Sequence, residues 1–153
     1  MAAVAEAKAA GVFVVSASME LTHGFDFRGL ERVPLADPET FASYRPGQFW
    51  ASDSNNRRLP PDLLFVPMDF RTTASPGGAG EYAFYSRGGM SWAVPYVAGA
   101  YALAAQVDPA LTPERFWALA LQTGKAISVT RPGEKPIPAV IIDPVALVGA
   151  LRR

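Results

Sequence analysis

The chain has no cysteine and a single histidine, His23. Disulfides and thiolate metal centres are thereby excluded, and so is a site built from several imidazoles. Charge of one sign is also missing, because 14 basic residues balance 14 acidic ones. Nothing electrostatic therefore points to nucleic acid or to an anionic membrane surface. No apolar run is long enough to span a bilayer, and MAAVAEAKAAG lacks the basic start and apolar core of a signal peptide. What is plentiful is apolar surface. Half of the 153 residues are hydrophobic, enough for the core of one ordinary domain and too short a chain for two.

Residues 2–11 are alanine-rich and end in glycine, which predicts a helix with a glycine cap. The β-branched run Val12–Ala17 predicts a buried parallel strand, and helix followed by buried strand points to an α/β sheet. No periodicity persists between Met19 and Asp62, so 19–62 reads as a long loop insertion. Its aromatics, including Phe25, Phe27, Phe41 and Tyr44, should pack it onto the body, with Phe49 and Trp50 doing the same. LLFVPMD predicts a buried strand ended by Pro67. Residues 71–75 and 81–86 predict two short strands around the turn PGGAG. A buried helix over 92–107 follows. The next helix is opened by Thr112 and Pro113, carries Glu114 in its first turn and closes at Gly124. A short strand, PAVIID, and a last helix begun by Asp143 and Pro144 complete the chain.

YSRGGMSWAVPYVAGAYALAAQ, from Tyr85, puts two glycines and a serine directly before a run of small apolar residues. As an N-cap, Ser91 would accept a hydrogen bond from an orphan N–H of the first turn. As a nucleophile, it would sit at the positive end of the helix, where N–H groups favour a developing oxyanion. Pro95 is expected near the fourth helical position, where its missing N–H forfeits only the first intrahelical bond. Ala98 and Gly99 are expected to bring the helix tightly against a sheet. Elsewhere, the glycines before Ser91 suit a hairpin turn better than a phosphate loop. DSNN at Asp53 could hold Ca²⁺ or form a turn. Asp69, Arg71 and Arg87 could form ion pairs near Ser91 or simply be solvated.

GMSWAVPYVAG, Gly89 to Gly99, is similar to the serine motif G-T-S-M-A-x-P-H-V-A-G of the subtilases, the subtilisin-like serine peptidases. Seven of the ten specified positions agree, and Met90, Trp92 and Tyr96 depart. AKAAGVFVVSASME resembles the segment leading to the family's oxyanion asparagine. VPMDFRTTASP resembles the A-P-G segment before the serine loop, and IIDPVALVGAL the closing helix. The resemblance covers most of the chain but only the C-terminal half of a subtilase domain.

It implies an α/β fold with a subtilisin-like, mostly parallel sheet flanked by helices, 1–153 being its C-terminal portion. It implies peptide-bond hydrolysis through an acyl-enzyme at Ser91, with a peptide or protein substrate and with Gly89, Pro95 and Gly99 shaping the motif. No cofactor or metal is expected from the residues, and calcium enters through the resemblance alone. In the family, the catalytic Asp and His precede the oxyanion strand, and neither has a matching position here. Base and orienting acid are therefore expected from a missing N-terminal half, and secretion of such a parent follows from the family only. His23 lies on the wrong side of the oxyanion strand in chain order. Aligned without gaps from Gly11, the oxyanion asparagine is replaced by Glu20, whose ionised carboxylate repels an oxyanion. Glu20 and Ser91 should then share one edge of the sheet. The alternative is a catalytically inactive subtilase-like module that binds peptide or plays a structural role.

Overall fold

Leu63–Asp69 is buried at every position, and a strand with that pattern needs cover on both faces. The computed structural model, which describes residues 2–47 and 62–152, supplies it. In chain order the elements are α1 (Ala2–Ala9), α2 (Glu20–His23), β1 (Asp26–Arg32), β2 (Tyr44–Pro46), β3 (Leu63–Asp69), β4 (Arg71–Ala74) and β5 (Tyr82–Tyr85). They continue with α3 (Met90–Val107), α4 (Pro113–Thr123), β6 (Lys125–Val129), β7 (Ile137–Ile141) and α5 (Pro144–Leu151).

A five-stranded sheet runs β2-β1-β3-β7-β6, with β1, β3 and β7 parallel and the two edge strands antiparallel. The fold is thus mixed α/β, built on a parallel centre. Leu64, Val66 and Met68 of β3 point with Phe27 toward Ala93, Val97, Ala100 and Ala104 of α3, and toward Phe116, Trp117 and Leu147. Leu63 and Phe65 point the other way, into a smaller cluster with Leu30, Tyr44, Val129 and Ile141. Alternation by two along one strand therefore feeds two cores. Pro67 does not end β3. The strand continues to Asp69 through a register shift, Leu30 facing Pro67 and Glu31 facing Asp69. Such an irregularity is where a residue without an N–H is tolerated in a ladder.

The helical signals hold. The Thr112 hydroxyl accepts from Arg115 N–H at 3.2 Å and the Asp143 carboxylate from Ala146 N–H at 3.0 Å, each with proline behind the cap. Residues 71–74 and 82–85 pair antiparallel as expected. α1 closes at Gly11, with the Gly11 and Val12 N–H groups bonded to the Lys8 and Ala7 carbonyls.

The N-terminal third differs from its reading. Val12–Ala17 is not a strand, and Val12 is half exposed. Only residues 18–25 separate this run from β1, and a parallel crossover takes about a dozen or more. Nor do the described residues of 19–62 form a loop insertion, since β1 among them is the direct neighbour of β3. Its aromatics do pack as expected: Phe25, Phe27 and Tyr44 are buried. Phe49 and Trp50 lie outside the described residues. β6 is a further strand that periodicity did not reveal.

The two-sided burial makes a direct prediction. Phe27→Ala removes a ring with no solvent exposure, and should cost about 3–5 kcal/mol. Leu103→Ala, at a site 53% exposed, should stay within roughly 0.5 kcal/mol. Urea unfolding of both variants, at unchanged m, checks the contrast.

Candidate functional site

The approach to Ser91 begins at the end of β3. Asp69 is 3% exposed, and its carboxylate accepts the Gly88 N–H at 2.7 Å and the Gly89 N–H at 3.1 Å. These bonds tie the loop after β5 to the carboxyl end of the central strand. Both glycines are required by the geometry. A Cβ on Gly88 would lie 1.8 Å from the Trp92 ring. Gly89 has φ 59° and ψ −166°, a region open essentially to glycine alone. Gly89 is itself the N-cap of α3, with no side-chain capping bond.

Ser91 is therefore the second residue of the helix and does not cap it. Its side chain is exposed, and neither its hydroxyl nor its N–H is hydrogen-bonded among the described residues. The Trp92 N–H closes the first turn on the Gly89 carbonyl at 3.0 Å, and the Trp92 ring packs on Tyr85 of the hairpin at 4.8 Å. Pro95 falls at the sixth helical position. It thus removes the bond that would have reached the Ser91 carbonyl, two residues further in than expected. Ala98 and Gly99 face solvent, not the sheet, and a Cβ on Gly99 would meet nothing. The stripe that packs on the sheet is Ala93, Val97, Ala100 and Ala104.

Of the nearby charges, Asp69 makes backbone bonds only, and Arg71 points Nη1 at the Pro67 and Trp92 carbonyls, 3.5 and 3.4 Å away. Among the described residues, Asp69, Arg71 and Arg87 form no ion pair with one another, which excludes the ion-paired one of the two alternatives. The Arg71 guanidinium lies 4.7 Å from the Tyr96 ring centre. Burial pushes the Tyr96 phenol up to about 12, so it stays protonated at neutral pH and is no base.

Glu20 and His23 are elsewhere. Met19 N–H donates to the Asp26 carboxylate at 3.3 Å, and Asp26 faces Leu63 at the amino end of the parallel strands. Ser91 follows Gly89, held at Asp69 on the carboxyl end. The seven residues of β3 separate those ends by roughly 20 Å. Glu20 thus cannot share an oxyanion site with Ser91, and the expected common edge is overturned. The crossover that would carry residue 20 to the carboxyl end is too short. His23 lies against Phe13 and Phe25, with ring centres 5.1 and 5.3 Å away, and its Nε2 bonds the Val14 carbonyl at 3.0 Å. Phe25 in turn stacks on Trp117, whose indole donates to the Asp62 carbonyl at the same amino end. His23 is an aromatic-cluster residue, not the base.

Asp53 and its DSNN run lie outside the described residues, and among the described residues no group of three acidic or imidazole side chains is placed to hold a metal. Compared with family models, curated proteins and solved structures, the chain matches none.

Burial lowers the His23 imidazole from its ordinary value, the Val14 bond opposing in part. As pH falls, the unfolded imidazole takes up its proton before the folded one does. The unfolded state then binds more protons, so this contribution to stability is complete above the unfolded value of about 6.5 and is lost as pH drops through the folded one. Denaturant midpoints at pH 7.5 and 5 should show a smaller acid loss in His23→Gln than in the unsubstituted chain.

Proposed function

We propose that this chain is the serine-bearing part of a subtilisin-like serine endopeptidase, with Ser91 as the nucleophile. The observation that carries this reading is a hydroxyl in the first turn of a sheet-packed helix, at the carboxyl end of parallel strands, that the fold itself does not use. Ligand sites of open α/β sheets gather at that end. A base takes the Ser91 Oγ proton as Oγ attacks the peptide carbonyl. The tetrahedral oxyanion then meets the unbonded Ser91 N–H and the helix dipole. Collapse expels the amine with the proton, and water hydrolyses the acyl-enzyme. The chain's one histidine is held at the other end of the sheet, so base and orienting acid come from outside this chain. Ala98, Gly99, Ala102 and Leu103 give α3 an exposed apolar strip on which further polypeptide can pack.

A second reading has its own support. The Asp69 carboxylate takes the two N–H groups just before the helix, and the segment aligned with the oxyanion asparagine lies at the other end of the sheet from Ser91, so it supplies no oxyanion donor. A catalytically inactive subtilase-like binding module fits those two facts.

Loss of the base in a subtilisin site costs about six orders of magnitude in kcat, so a fluorophosphonate should leave Ser91 of this chain unlabelled. Brisk labelling, abolished by Ser91→Ala, would show that the chain supplies its own base. The native gene product that carries this chain separates the readings: casein hydrolysis lost in Ser91→Ala supports the endopeptidase, and its absence leaves the inactive module.

A further inference from the structure

The carboxyl end of the sheet holds an open cavity of about 810 Å³ beside Tyr96 of α3, within the size range of small-molecule sites. Its floor comes from the ends of all three parallel strands: Arg32 closes β1, Pro67 and Arg71 bracket the end of β3, and Ile142 follows β7. Phe41, Tyr44 and Tyr96 give it aromatic walls. Two guanidinium groups therefore stand at the base of an otherwise largely apolar hollow.

Among the described residues, neither guanidinium has a carboxylate partner. Arg32 donates from Nη2 to the Phe70 carbonyl at 3.0 Å, while its Nε is buried with no acceptor. Arg71 has only the two long carbonyl contacts and the face of Tyr96. The Arg32 Nε is sealed from the cavity, but a guanidinium carries five N–H donors, and the bonds to backbone carbonyls leave Nη groups of both residues without an acceptor among the described residues. The fork geometry of such a group matches a carboxylate. Of the two carboxylates lining the cavity, Asp143 is engaged by Lys125 at 3.5 Å and by the cap of α5, which leaves Glu39 on the exposed loop. The lining is thus cationic at its floor and apolar at its sides.

We infer that this cavity binds an organic monocarboxylate with an apolar body, its carboxylate on Arg71 and Arg32 and its body against Tyr44, Tyr96 and Phe41. The free C-terminus of a peptide and a simple aryl acid share that chemistry. The site does not include Ser91 and does not depend on the peptidase reading.

Calorimetric titration of the intact chain tests it with four probes: N-acetyl-phenylalanine, its primary amide, phenylacetate and inorganic phosphate. The free acid should bind saturably and at least about tenfold more tightly than the amide, the loss expected when a charge-assisted bond is removed. Phenylacetate equal to the N-acetyl acid supports an aryl-acid ligand, and a clear preference for the N-acetyl acid supports a peptide C-terminus. Arg71→Gln, checked for an intact thermal transition, should abolish the acid–amide difference. Should that variant fail to fold, the acid–amide comparison on the unsubstituted chain decides alone. Equal binding of acid and amide, binding of phosphate alone, or no saturable binding would overturn the assignment.

Discussion

One buried carboxylate sets the geometry of everything around Ser91. Asp69 ends the strand that both cores share, and it holds the Gly88 and Gly89 N–H groups. Those bonds fix where the loop leaves the hairpin and where α3 begins. α3 then runs back along β3 and lays its alanine stripe on Val66 and Met68. The small side chains let the helix approach closely, and Phe116 of α4 packs on Tyr101 of α3. Phe70, next in the chain, adopts a positive φ of 54° and bonds to the Ser86 carbonyl. A bulky residue in that region costs energy and persists only when its surroundings over-determine it. The Asp69 bonds on one side and the hairpin on the other are such surroundings.

The same carboxylate has an electrostatic consequence. Helix N-termini favour negative charge because their first N–H groups are unpaired. Here the two donors just outside the helix already face an acidic side chain. What remains for a ligand is the first turn itself, beginning with the Ser91 N–H. An anion approaching from solvent thus meets fewer donors than the loop's glycine content suggests. At the neighbouring cavity the sign reverses, since the strand ends there carry Arg32 and Arg71. The carboxyl edge is therefore divided into a serine loop neutralised by Asp69 and a pocket floored by guanidinium groups that have no carboxylate partner among the described residues.

How far the fold was legible depended on whether local and long-range signals agreed. α4 and α5 were readable because cap, proline and apolar stripe occur in register, as the Thr112 and Asp143 caps show. β3 was readable because double burial leaves an unbroken apolar run. β1 was not, although it is a central strand. DFRGLER carries four charges and a glycine, a pattern that does not read as a central strand. Asp26 pairs with Arg28 at 2.7 Å and Glu31 with Arg45, while Arg32 reaches Phe70. Gly29 faces Val66 in the ladder and lies under the Met68 side chain, whose sulfur a Cβ would meet at 2.2 Å. Val12–Ala17 failed in the opposite sense. Its β propensity is high, but the chain has no length to return it to the sheet in parallel. Propensity lost to topology.

The site was legible to the same degree and for the same reason. Ser91 stands out in sequence because two glycines, a serine and small apolar residues are local features, and the structure turns them into an exposed hydroxyl at a helix start. Glu20 was assigned by counting along a strand that does not form, so the count carried it to the wrong end of the sheet. Arg32 and Arg71 were invisible as a pair, being far apart in sequence and joined only where parallel strands end together. A parallel sheet gathers its strand ends without leaving a periodic trace in the chain. Residues placed at such ends acquire their chemistry from the topology, which is why the two guanidinium groups come to light only once β1 and β3 are side by side.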